Sequence, residues 1–228
     1  MSIYSMFIWI ILTVSLYLAA DRLYNKTSSG WINPLFICPA ALIGILWLTH
    51  TNYATYHTAT QPITFFLGPI QLAMVIPLYK YASVLKQNVF TILSGVAAGT
   101  CSGIFLVMVM SHLFHFSFST LASLTPKSVT APMAVSVSQL LGGLPELTAV
   151  FTVMTALIGM VIGPVILQGL GIKNTMVKGL ALGTAASMVG AARAAQWGEQ
   201  EGIMGTLGMV LSALIMPVAA LGLLSAMF

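Results

Sequence analysis

Residues 125–132 read TPKSVTAP and place one ammonium group, Lys127, between Pro126 and Pro132, with the hydroxyls of Thr125, Ser128 and Thr130 alongside. Prolines remove backbone donors from a helix, so the chain here is expected to be broken rather than regularly coiled. Helix ends next to such a break present free N–H groups and the positive end of the helix dipole. An ammonium, hydroxyl donors and these N–H groups together suit a carboxylate or a phosphate. A second cation, Arg193, stands in GTAASMVGAARA, residues 183–194, where Thr184 and Ser187 supply hydroxyls and Gly183 and Gly190 allow close backbone approach. Two cations 4 Å apart repel by about 4 kcal/mol at an effective dielectric of 20, and a bound anion relieves that repulsion. Plainer roles remain open for both. Lys127 could instead snorkel to an interface, and Arg193 could pair with Glu199 or Glu201 as a structural contact.

Other polar residues read less specifically. Asn33 beside Pro34, and Gln71 near Gly68 and Pro69, lie at expected helix breaks, where they either bond between helices or line a cavity; Asn33 is kept as a binding candidate. Glu146 follows Pro145 and reads as a helix-start residue complementing the dipole, with proton coupling as the alternative. His112 and His115 have a metal-like spacing but no neighbouring Cys or carboxylate, so no metal site is expected. No HExxH, GxSxG or GxxxxGK[ST] pattern occurs, which argues against an enzyme or a self-contained ATP-driven pump, and no cofactor is called for.

The elements that must position these residues follow from composition. Of 228 residues, 58% are hydrophobic and 5% are charged, too few charges to build a water-facing shell, so the expected solvent is lipid. A bilayer core of about 30 Å needs roughly 20 apolar residues per crossing, which makes the chain one all-α integral membrane domain over 1–228. The net charge of +4 is scattered over short loops, with no basic run of the kind that binds nucleic acid. Cys38 and Cys101 lie in apolar stretches and imply no disulfide framework. Residues 3–20 have no basic segment ahead of them and read as a span, not a cleaved leader.

Apolar segments cover 3–20, 31–48, 63–79, 89–110, 121–142, 146–169, 179–197 and 203–227, with a polar loop at 49–62. Gly95, Gly99 and Gly103 share a helical face suited to close packing, within the chain or across a dimer. Arg22 with Lys26, Lys80 with Lys86, and Lys173 with Lys178 mark three loops expected at the cytoplasmic side. That assignment leaves 121–142 and 146–169 sharing one crossing. The broken segment 121–142 is therefore expected to dip in and return, and 179–197 to do the same from the other face. Six spans and two oppositely directed re-entrant hairpins result, an inverted-repeat arrangement typical of secondary transporters, with 1–120 as scaffold and 121–228 as the transport unit. A competing topology lets both segments cross fully and puts Lys173 and Lys178 outside.

The stretches NPLF from Asn33, VIPLYK from Val75, LTPKSVTAPMAV from Leu124, GGLPELTAV from Gly142 and KGLALGTAASMVGAARA from Lys178 resemble those of the LrgB/CidB family of bacterial membrane proteins, over nearly the whole chain. One departure is TAASMVGAAR, where family wording is closer to TASHALGTAR and Met188 and Ala192 differ; no histidine role carries over. The resemblance implies a multi-pass protein of the bacterial inner membrane with a small LrgA/CidA-type membrane partner, and a homodimer is expected. It also implies two functional classes. One is holin-like or antiholin-like modulation of murein hydrolase activity and lysis. The other is carriage of small monocarboxylates such as glycolate, glycerate, lactate or pyruvate, which the broken lysine segment favours. In that reading Lys127 binds the carboxylate, Thr125, Ser128 and Thr130 orient it, and Arg193 with Ser187 and Thr184 approaches from the second hairpin.

Overall fold

The computed structural model describes residues 3–27, 34–66, 69, 76, 79 and 82–225, and among these the secondary structure is entirely helical. Two compact units divide between Ala73 and Met74. Asn33 and Gln71, and most of the apolar segment expected at 63–79, lie outside the described residues.

In the first unit, α1 (Ile3–Thr27) packs against α2 (Pro34–Leu48) and α3 (Tyr53–Phe65). The stretch 49–62, expected as a polar loop, is helical from Tyr53. Its start is capped by the Asn52 side chain, which accepts from the Ala54 N–H at 3.0 Å. Thr58 and Thr60 donate their hydroxyls back to the carbonyls of Ala54 and Tyr56, so the polar side chains bond within the helix instead of competing with it. Tyr56 then docks on α1, its ring edge-on to Trp9 at 5.6 Å and its hydroxyl 3.2 Å from that of Thr13.

The second unit contains α4 (Ala82–Gln87), α5 (Val89–Leu113), α6 (Phe118–Leu124), α7 (Ala131–Leu140), α8 (Pro145–Gly169), α9 (Thr175–Ala195) and α10 (Glu199–Ser225). Four helices among the described residues, α1, α5, α8 and α10, are long and apolar enough to cross a membrane. At 25 residues, α5 and α8 each run about 37 Å, more than a bilayer core needs. Their outward faces are apolar: Phe90, Phe105, Val165 and Val218 are all largely exposed. A water-soluble chain rarely leaves such faces bare, whereas lipid covers them at no cost.

The interior is held by small residues. Gly179 and Gly183 of α9 and Gly202, Gly205 and Gly208 of α10 let the two helices touch backbone to backbone, the closest packing in the unit, while Gly190 of α9 lies against the Leu182 carbonyl of the same helix. Of the three glycines expected to share a packing face on α5, a side chain at Gly95 would meet Leu180 and one at Gly99 would meet Thr184, both within this chain, while Gly103 faces open space.

Two segments of this unit double back on themselves. In α9 the helical path breaks at Ala186 (φ −125°, ψ 16°) and Ser187 (φ 51°, ψ −135°). Lys178 Nζ consequently lies 5.6 Å from the Trp197 ring, although a straight helix would separate those positions by about 28 Å. Leu182 and Ala194 share one core cluster for the same reason. Between α6 and α7 the chain turns through 125–130 and returns, so that the Leu144 N–H donates to Ser123 Oγ at 2.7 Å. Gly143 makes this return possible, because a Cβ there would sit 2.8 Å from Ser123 N.

Candidate functional site

The first turn, 125–130, is built to stay compact. Thr125 donates its hydroxyl to the Leu121 carbonyl at 2.8 Å, and the N–H groups of Lys127 and Val129 donate to Leu124 and Pro126 at 3.2 and 3.3 Å. Thr125, Pro126 and Val129 are buried, which pins the turn from below. Lys127, Ser128 and Thr130 are half-buried. The Lys127 ammonium has no hydrogen-bond or ion-pair partner among the described residues, nor do the Ser128 and Thr130 hydroxyls; Thr130 occupies the N-cap of α7 without making the usual side-chain cap bond. Three donors are thus gathered in one turn with nothing among the described residues to donate to.

The limbs that carry this turn are tied at their far ends. Ser138 and Thr148 place their hydroxyls 2.6 Å apart, both fully buried, and Ser123 donates to the Ser119 carbonyl at 2.6 Å while accepting from Leu144. Each bond replaces a polar group's lost water, so the base of this fold-back is a closed polar lock.

Three long helices fix the depth of the two turns independently. Along α8, Ser138 pairs with Thr148 across Gly143, so Thr130 falls level with about residue 156, while a side chain at Gly159 would lie 2.7 Å from Ala186 of the second turn. Along α5, Gly99 faces Thr184, and Ile104 clusters with Val129. Along α10, Gly208 faces Thr184, and Met216 joins the cluster of Val129. On every helix the marks of the two turns fall within about two helical turns of each other, near the helix middle. The first segment reaches this level from the end where α5 finishes and α8 begins. The second reaches it from the end where α8 finishes and α10 begins.

The remaining predicted residues are placed as follows. Thr184 and Ser187 are buried at the second turn, and their hydroxyl oxygens have no partner among the described residues. Arg193 lies near the far end of the returning limb, about 9 Å along it from Ser187; its guanidinium donates to Gln196 Oε1 and sits 5.7 Å from the Trp197 ring, which it shares with Lys178. The structure therefore gathers Thr125, Lys127, Ser128 and Thr130 in one turn and Thr184 and Ser187 in the other, and holds Arg193 at the base of the second segment. Glu146 is exposed in the first turn of α8, where its charge complements the dipole. No group of three or more His, Cys, Asp or Glu that could hold a metal occurs among the described residues. A buried hydroxyl with no partner among the described residues, that of Thr100 on α5, was not singled out by sequence. The signal for it was its place in the apolar series Val96, Thr100, Ile104, four residues apart on one helical face.

These features define an all-helical, multi-pass membrane protein. The family model of the LrgB-like family matches residues 13–225, and the chain belongs to that family. It is 38% identical to uncharacterized protein YwbG of Bacillus subtilis, over 97% of this chain and 100% of that one. It is also 30% and 32% identical to the holin-like proteins CidB of Staphylococcus epidermidis and Staphylococcus aureus, in each case over 92% of this chain and 91% of the relative. No solved structure matches it.

Proposed function

We propose that this protein is a secondary transporter of small monocarboxylates. The observation that carries the reading is the Lys127 ammonium, without a partner among the described residues and flanked by Ser128 and Thr130 in the same state, in a turn at the mid-level of three membrane-length helices. A lysine at bilayer mid-depth costs about 2.5–3.5 kcal/mol on insertion scales, a cost that a structural residue would offset with a partner and a binding residue with its ligand. A two- or three-carbon carboxylate supplies the missing charge and accepts from the neighbouring hydroxyls.

In this reading the two doubled-back segments are re-entrant hairpins entering from opposite membrane faces as an inverted repeat, and the protein lies in the bacterial inner membrane. Their tips close on the substrate from the two sides, Lys127 with Thr125, Ser128 and Thr130 from one and Thr184 with Ser187 from the other. Arg193 at the hairpin base draws anions toward the opening. Residues 121–228 move as the transport unit against a scaffold drawn from 1–120, in the alternating-access manner of such folds. A homodimer and a small LrgA/CidA-type partner complete the assembly.

A second reading is favoured by the names of the staphylococcal relatives: a holin-like or antiholin-like regulator of lysis. The two differ in what they need from Lys127. A lesion-forming protein leaks solutes without saturation; a carrier saturates and exchanges. In proteoliposomes, counterflow of labelled glycolate, lactate or pyruvate is expected for the wild-type protein, at least ten-fold weaker in Lys127→Ala and partly kept in Lys127→Arg. Saturable exchange unaffected by Lys127→Ala, or dye leakage with no exchange, would overturn the proposal. Repeating the assay with the small partner co-reconstituted shows whether transport requires it.

A further inference from the structure

We propose that the junction of α5, α9 and α10 binds a sodium ion, ligated by the hydroxyl oxygens of Thr100, Thr184 and Ser187, that moves together with the carboxylate; the co-transport part rests on the carrier reading above, the ion site does not. All three hydroxyl oxygens are buried and without a partner among the described residues, whereas the buried hydroxyls of Thr125, Ser138, Thr148, Thr152 and Ser212 are bonded. Buried polar groups are as a rule satisfied, so three orphans in one region indicate something they bind.

Neighbours place Thr100 and Thr184 at adjoining levels, and Ser187 follows Thr184 closely in the chain. Thr184 packs on Gly99, the residue before Thr100, and on Gly208 of α10, where a Cβ would lie 2.9 Å from Thr184 Oγ1. Thr100 lies on the α5 face whose other members, Val96 and Ile104, cluster with Leu207 and with Met216, so Thr100 faces α10 between those levels, about one helical turn past Gly208. Ser187 is the strained residue of the break, three positions past Thr184. Gly208 leaves the α10 surface bare at this point.

The chemistry of the set selects the ion. Hydroxyl oxygens are hard, neutral ligands. Calcium and magnesium demand carboxylates, and softer metals demand nitrogen or sulfur. The chain has only four acidic residues, and the three in this unit stand elsewhere: Glu146 in the first turn of α8, Glu199 and Glu201 in the first turn of α10. A monovalent cation is what remains. The first limb of α9 ends at the break, and the negative end of its dipole points there, adding carbonyl oxygens of the right sign. Tight glycine packing favours sodium over the larger potassium. A hydroxyl can donate its hydrogen to a carboxylate while its lone pairs face a cation, so Thr184 and Ser187 can serve both ions. Lys127 at a similar depth repels the sodium ion until the anion arrives, which couples the two binding events, each strengthening the other by the same factor.

Thermal unfolding of the purified full-length protein, at equal ionic strength in sodium, potassium or choline chloride, tests the site without reference to transport. Sodium is expected to raise the midpoint saturably, and potassium and choline are not. The rise should vanish in Thr100→Val and Thr184→Val, and persist in Ser102→Ala, whose hydroxyl is exposed on α5, and in Lys127→Ala. Equal midpoints in all three salts, as expected if ordered water satisfies the hydroxyls, would overturn the site, as would a sodium rise that survives both valine variants. If a variant folds poorly, binding of radioactive sodium to the wild-type protein decides instead: competition by unlabelled sodium and not by potassium supports the site, and its absence overturns it. Lys127-dependent exchange that ignores sodium would remove the ion and leave the carrier; sodium stabilisation of a protein that exchanges no carboxylate would do the reverse.

Discussion

Lys127 could be found in the sequence because charge is scarce: among twelve ionic residues, one flanked by prolines within an apolar stretch needs a reason. Thr100 could not, because a threonine in an apolar helix normally donates to the carbonyl four residues back, as Thr148, Thr152 and Thr206 do here. Only the folded structure separates the threonine that bonds its own helix from the one that does not. Arg193 shows the converse limit, since its place in the sequence beyond Ser187 says nothing of how far a limb carries it from the tip; Trp197 and Gln196 hold it at the base. Ser187 carries a testable strain. Its φ of 51° with ψ of −135° suits glycine and is unfavourable for a branched side chain by about 1–3 kcal/mol. Ser187→Gly is therefore expected to unfold at the same or a higher temperature than wild type in sodium-free buffer, and Ser187→Val at a lower one. A valine variant as stable as wild type would show that the turn is not strained as described.

At the scale of elements, the first break was legible and the second only partly so. Pro126 and Pro132 announce the first by removing backbone donors. The second has neither proline nor glycine at Ala186 and Ser187, so its signal was the run of small residues around it, which equally suits a straight packed helix. The two alternatives differ sharply in geometry. Cysteines replacing Lys178 and Trp197, in a background without Cys38 and Cys101, should be joined within one chain by a short bifunctional thiol reagent. A straight α9 would hold them about 28 Å apart and give no such product. The expectation of a loop at 49–62 failed for a local reason: alternating Thr, Ala and Tyr after Asn52 carry no breaker before Pro62, and the threonines satisfy their hydroxyls on their own helix. At the base of the first segment, Gly143→Leu is expected to lower stability by several kcal/mol, since the added atoms would displace Ser123 and Ser138 and open the polar lock. Thermal unfolding in detergent measures it, and a loss below about 1 kcal/mol would show that the limbs are not held there.

Across the whole molecule, composition alone made the solvent legible, because a chain with 5% charge and outward-facing Phe90, Phe105 and Val165 has lipid as its counterpart. Orientation rests on the placement of Lys and Arg. If the two segments re-enter the membrane, cysteine at Lys173 should react with an impermeant reagent only from the cytoplasmic face and cysteine at Ser117 only from the outer face. Labelling of position 173 from outside would support full crossings instead. The central claim is that a carboxylate sits against the Lys127 turn at mid-depth, and protection of that turn tests it most directly. With Cys38 and Cys101 replaced, a cysteine at Ser128 is expected to react with a small hydrophilic thiol reagent in proteoliposomes. Pyruvate or glycolate should slow that reaction saturably, and the slowing should be lost when Lys127 is also replaced by alanine. A reaction rate indifferent to every small monocarboxylate would contradict the account.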